Sequence, residues 1–146
     1  MIRLLPLLLL LLAGTQGFGE SHLTLRVLTY NIHHAEGTDR RLDVERVAAV
    51  IERLQPDLVA LQEVDIGTVR AGGIDELREI ARRTSLNAEF GRTMDYDDGA
   101  YGVAVLSRWP IGSARTLALP SAPDREPRAA LSVNVKPFGR GPLLQF

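Results

Sequence analysis

Pro56-Asp57-Leu58-Val59-Ala60-Leu61-Gln62-Glu63-Val64-Asp65 decides how this chain folds. Leu58 to Leu61 is an unbroken apolar run of strand length, which suits a strand buried on both faces. Pro56 stops whatever helix precedes it. The run leads straight into Gln62 and Glu63, so a carboxylate is expected just past the end of a buried strand. A half-buried carboxylate costs free energy unless something positive pairs with it, and either an arginine or a divalent cation would serve.

On the N-terminal side, Leu42 to Leu54 has Val44, Val47, Ala48, Ile51 and Leu54 on one face at helical spacing, with Arg46 and Glu52 off it. Before that helix, Leu23 to Tyr30 alternates apolar and polar residues and reads as a strand, and Asn31 to Arg41 reads as a loop. Two strands flanking one helix make a βαβ-like or mixed unit, with Asn31 and Glu63 at neighbouring strand ends. On the C-terminal side, Val64 to Gly73 is a Gly-rich loop, and Ile74 to Thr84 predicts a second helix burying Ile74, Leu77, Ile80 and Ala81. The remainder is β-rich. Strands are expected at Asn87–Gly91, Tyr101–Ser107, Gly112–Leu119, Arg128–Val135 and from Leu143 onward, with a turn at Asp95–Ala100 around Asp97-Asp98-Gly99.

The 146 residues suffice for one domain, 45% apolar and 24% charged. Aromatic residues are only 5%, so the core must rest on Leu, Val, Ile and Ala. Cysteine is absent, which excludes disulfides, thiolate zinc sites, a Cys nucleophile and a lipid anchor on an N-terminal Cys. Met1-Ile2-Arg3, an apolar run from Leu4 to Ala13 and small residues thereafter have the layout of a secretory signal peptide, residues 1–19, cleaved somewhere within Gly14 to Glu20. The apolar run is too short to span a bilayer, which needs about 20 residues. The chain is therefore expected to be exported, secreted or periplasmic, without a stable membrane anchor. The formal net charge of −1 supplies no basic excess for non-specific phosphate attraction and leans toward a small or lipid-like substrate over long DNA.

Strand ends that open into loops are where α/β proteins place their sites. A Glu and an Asn form a hard-ligand set that suits Mg²⁺, Mn²⁺ or Ca²⁺ more than zinc, and Mg²⁺ commonly takes one or two carboxylates and keeps several waters. His33 and His34 read as loop histidines outside any ligand shell, His22 as exposed, and Asp95, Asp97 and Asp98 as a solvated turn.

Leu28-Thr29-Tyr30-Asn31-Ile32, then Leu61-Gln62-Glu63-Val64-Asp65, then Tyr101 to Ile111 with its Leu106-Ser107-Arg108-Trp109-Pro110-Ile111 end, and Glu126-Pro127-Arg128-Ala129-Ala130-Leu131 occur in this order. In these motifs the chain resembles the endonuclease/exonuclease/phosphatase superfamily from about Leu23 to its last residue. The resemblance implies an α/β (α+β) four-layer sandwich of the deoxyribonuclease I-like type, here truncated to roughly its first half. It implies a metal-dependent hydrolase of phosphodiester or phosphomonoester bonds; with the leader this one is expected to be secreted, and at full length monomeric. The substrate would be a phosphate ester: nucleic acid, phospholipid or a small phosphodiester. Glu63 would be the principal metal carboxylate and Asn31 would sit beside the metal. Tyr101 would reach a phosphate oxygen, and Arg128 would be a substrate-side arginine.

The family's downstream Gly-Asp-x-Asn and Ser-Asp-His segments do not occur, and the only histidines, at 22, 33 and 34, precede Glu63. The domain from residue 23 to 146 is therefore expected to be incomplete at its C-terminus and inactive alone. The alternative expectation is a non-catalytic exported binding or interaction module with a vestigial metal site.

Overall fold

The computed structural model describes residues 24–122, 124–139 and 141–146. The expected signal peptide (1–19), His22 and the first residue of the expected N-terminal strand lie outside the described residues. Strand β1 (Val27–Asn31), helix α1 (Val44–Leu54) and strand β2 (Leu58–Ile66) are followed by helix α2 (Glu76–Thr84), β3 (Asn87–Tyr96), β4 (Gly99–Ser107), β5 (Ile111–Leu119), β6 (Arg128–Val135) and β7 (Leu144–Gln145).

The strands form a four-stranded sheet, β1-β2-β4-β3, and a three-stranded sheet, β5-β6-β7. β1 and β2 are parallel, as the intervening helix requires, and the other pairs are antiparallel. One face of the larger sheet offers Val59, Leu61, Val64, Ala104 and Leu106, and these pack with Val47 and Ile51 of α1 and Leu77 and Ile80 of α2. The opposite face offers Leu58 and Val105, which pack with Trp109, Val133 and Val135 from the second sheet's side. As far as Leu61, alternate positions of β2 thus serve different cores, so both faces of this strand are buried, as its apolar run demands. Helices, sheet and sheet are three of the four layers of the deoxyribonuclease I-like sandwich.

Both helices start later than their apolar periodicity suggests, because an aspartate takes the N-cap. Asp43 Oδ1 accepts the Arg46 N–H and Asp75 Oδ1 accepts the Arg78 N–H, each at 2.9 Å. The residue before each cap stays outside the helix, and Ile74, expected in the core, is 45% exposed. Leu54 at the far end of α1 is 41% exposed, beyond the reach of the sheet. β3 also runs further than expected, to Tyr96. The reason is a two-residue hairpin: Asp97 and Asp98 take φ of 49° and 62°, a turn of the positive-φ type whose twist matches the strands it joins.

β3 and β4 approach closely at Gly102. A Cβ built there would lie 2.2 Å from the carbonyl oxygen of Gly91, a backbone atom that cannot step aside. Gly102→Ala is expected to lower unfolding free energy by about 2–3 kcal/mol, read from urea denaturation; an unchanged midpoint would refute this packing.

One buried carboxyl stands apart from both cores. Glu76, in the first turn of α2, is 1% exposed. Its Oε2 accepts the Asp65 N–H at 2.8 Å, and its Oε1 has no partner among the described residues. Burial pushes its carboxyl up to about 7, with the charge of Asp65 adding to the rise and Arg70 opposing it. A carboxyl raised in the native state holds a proton that the unfolded chain has released. Stability therefore falls as pH rises from the ordinary value near 4.5 to about 7, by roughly 3 kcal/mol. Glu76→Gln removes the ionisable group and should flatten that decline, measured as urea midpoints between pH 5 and 7. A variant that loses stability over this interval as steeply as its parent would count against it.

Candidate active site

β2 does not end at Leu61. Val64, Asp65 and Ile66 continue the ladder opposite Gly102, Tyr101 and Ala100, and the register shifts between Leu61 and Val64. Gln62 and Glu63 occupy a β-bulge inside the strand, not a position past its end, because β4 is long enough to keep pairing beyond it. Val59, Leu61 and Val64 face the same helix-side core, a spacing of two and then three. In strict alternation Glu63 would follow Leu61 into that core. The extra residue hands the place to Val64 and leaves Glu63 half-buried at a cleft. Its φ of 58° lies in the left-handed region, which a non-glycine residue adopts only when its surroundings hold it there.

Asn31 is the last residue of β1 and lies beside Gln62 in the parallel ladder. Its Nδ2 donates to Glu63 Oε1 at 2.7 Å, and its Oδ1 accepts the His33 N–H at 3.0 Å. Both ends of the amide are thus fixed, and its nitrogen faces the carboxylate. The next turn, His33–Ala35, has φ of 48°, 41° and 56° at three successive non-glycine residues. Each costs on the order of 1 kcal/mol or more, so the turn is held by what surrounds it. His34 is buried there, its Nε2 3.3 Å from Glu36 Oε2, and both histidines line the cleft.

Tyr101 and Arg128 meet Glu63 at the same cleft. Tyr101 faces Asp65 across the β2–β4 ladder and is buried. Burial pushes its phenol up to about 12. The carboxylates of Glu63 and Glu126 add to the rise and Arg128 opposes it, so the hydroxyl stays a donor through the neutral range. Arg128 opens β6 and pairs with Glu126 at 3.2 Å. That pair is exposed and holds the arginine only loosely. The structure therefore gathers Asn31, Glu63, Tyr101 and Arg128 in one place.

It also brings residues to which the sequence assigned no role. Arg70, from the Gly-rich loop after β2, enters the cleft with Tyr96 and Glu126. Asp65 is fully buried and receives Arg70 Nε and Nη2 at 2.6 and 2.8 Å, with the Thr68 hydroxyl at 2.6 Å as a third donor. These donors hold the Asp65 carboxyl below the usual range against its burial. The signal was present in Asp65-x-x-Thr68-x-Arg70, an acid followed by two side-chain donors within one short loop.

Among the described residues no Lys, Arg or His lies within ion-pair distance of Glu63, so the arginine alternative raised by its burial finds no partner. Nor do three His, Asp or Glu side chains cluster there as a ready-made metal cage. One carboxylate oriented by an amide fits a hard divalent cation that keeps most of its water, and does not fit zinc, which asks for three or four protein ligands.

A family model described as "Endonuclease/Exonuclease/phosphatase family" matches residues 28–144. Among solved structures, an endonuclease/exonuclease/phosphatase from Beutenbergia cavernae DSM 12333 is 28% identical with a TM-score of 0.63, over 80% of this chain and 36% of its own. A family protein from Leptotrichia buccalis C-1013-b is 16% identical with a TM-score of 0.62, over 84% and 52%. ANGEL2, a 2′,3′-cyclic phosphatase, is 17% identical with a TM-score of 0.59, over 83% and 39%. At these identities the last two speak to the fold alone. The chain spans about a third to a half of the length of the structures it matches. No curated protein sequence matches it significantly. With a family match across most of the chain and the same sheet-and-helix layers in solved members, this protein belongs to the endonuclease/exonuclease/phosphatase family, a family of phosphoester hydrolases.

Proposed function

We propose that this chain carries the metal-binding half of an exported, Mg²⁺-dependent phosphoesterase. The observation that carries the reading is Glu63: a strained, half-buried carboxylate, turned out of the core by a bulge, oriented by Asn31 and lacking a basic partner among the described residues. A cation bound there would neutralise charge on phosphoryl oxygens and on the leaving oxygen. Asn31 keeps the Glu63 carboxylate aimed. Tyr101, protonated at neutral pH, donates its hydroxyl proton in a hydrogen bond to a phosphate oxygen. Arg128 exchanges Glu126 for the phosphate, which its fork fits better than a point charge would.

The substrate class is a phosphate ester, whether nucleic acid, phospholipid or small phosphodiester. Phosphate chemistry is compatible with the fold, since ANGEL2 has been solved with adenosine-2′,3′-vanadate. Export rests on the leader-like residues 1–19. Among the described residues no helix is long and apolar enough to cross a membrane. The Gly-Asp-x-Asn and Ser-Asp-His segments, where the resemblance places the groups that act on water and leaving group, do not occur in these 146 residues.

Two outcomes follow. Titration calorimetry should show Mg²⁺ binding that Glu63→Ala weakens about tenfold or more, the worth of one directly held carboxylate. Equal affinity in parent and variant would sink the metal assignment. The 146-residue protein should not hydrolyse bis(p-nitrophenyl) phosphate in Mg²⁺, and measurable turnover would show that its own residues complete the chemistry.

A further inference from the structure

Arg70 is held in a way that a mere counter-ion would not need. Its Nε and Nη2 are taken by the two oxygens of Asp65, a carboxylate with no solvent exposure. Its guanidinium lies 4.4 Å from the ring centre of Tyr96 and 5.6 Å from that of Tyr101. Its backbone N–H donates to Asp97 Oδ2 at 2.6 Å, which ties the loop to the tip of the β3–β4 hairpin. Carboxylate, rings and loop leave the side chain no freedom to lose on binding a ligand.

What remains is Nη1. Among the described residues it has no hydrogen-bond acceptor, although the side chain is 31% exposed and lines the cleft that holds Glu63, Tyr101 and Arg128. A guanidinium clamped along one edge presents its remaining N–H groups in a fixed direction, the arrangement that suits charge-assisted hydrogen bonds to an oxyanion. Arg128, by contrast, is 60% exposed and among the described residues pairs only with Glu126. The cleft thus has one rigid and one movable cation.

We propose that Arg70 is a further substrate-binding residue: its Nη1 grips a phosphate oxygen of the ester, and Asp65 is the positioning residue that aims it. The proposal rests on the phosphoesterase reading above and names the group in that site that fixes the phosphate.

The test is a phosphorus NMR titration of the 146-residue protein with inorganic phosphate in the presence of Mg²⁺, beside calorimetric Mg²⁺ titration of each variant. Arg70→Lys keeps a charge on Asp65 and loses the fork. It should bind phosphate about tenfold more weakly, the worth of a charge-assisted contact, with Mg²⁺ affinity unchanged. If Arg70→Lys does not fold, the neutral pair Asp65→Asn/Arg70→Gln replaces it, with a loss at least as large. Asp65→Asn alone leaves the charge unaimed and should fall between parent and double variant. A folded variant that binds phosphate as tightly as the parent overturns the proposal and leaves Arg70 as the partner of Asp65 alone. A parent that binds no phosphate overturns it too. Failure of the underlying reading has a different signature: Glu63→Ala would keep the parent's Mg²⁺ affinity.

Discussion

The extra residue in β2 between Leu61 and Val64 is the constraint on which the rest of the site depends. Alternation along a strand has no tolerance: each side chain goes to one face or the other, and a carboxylate two residues after Leu61 belongs in the helix-side core. Inserting one residue resolves the conflict twice over. The apolar sequence regains its phase at Val64, and Glu63 is expelled toward Asn31, whose amide meets it. The strand on either side, paired with β1 and β4, is what holds the left-handed backbone at Glu63 in place. The rigidity of the sheet is thereby transmitted to a single side chain.

Just beyond the bulge, the sheet and helix α2 bury two neighbouring carboxyls. Asp65 and Glu76 lie within one hydrogen bond of each other through the Asp65 N–H, and the two solve burial differently. Asp65 keeps its charge because Arg70 and Thr68 surround it. Glu76 lacks such donors, and its burial favours the neutral acid. Two carboxyls this close in a low-dielectric interior disfavour a shared charged state, and the donors on Asp65 set the two apart. The arrangement also links α2 to β2 through a polar contact beside an apolar core.

Most of the architecture was legible. The apolar run Leu58–Leu61, the amphipathic stretch before Pro56 and the alternating strands toward the C-terminus all follow from periodicity and chain punctuation, and their observed positions agree to within a few residues. The later starts of α1 and α2 are also written in the sequence, as Asp43 and Asp75, but there capping competes with an apolar periodicity that begins earlier. The bulge was not legible, because its cause is a pairing with β4, about forty residues away in the chain. The same holds for the site. Asn31, Glu63, Tyr101 and Arg128 carry the family resemblance, and they face one cleft. Arg70 sits in a stretch whose glycines spelled only "loop". Its environment is made by Asp65, Tyr96 and Tyr101, from three different strands, and no local pattern encodes such a meeting.

The turn at His33–Ala35 has a further consequence. Three successive L-residues in a left-handed conformation form a short segment that the backbone, left to itself, would unwind. Glycine at the exposed His33 would ease that tension, whereas at the buried His34 and Ala35 it would also remove packed side chains. It would also slacken the only connection between the end of β1, where Asn31 holds Glu63, and the loop leading into α1. Backbone ease and accuracy of the carboxylate therefore pull this segment in opposite directions.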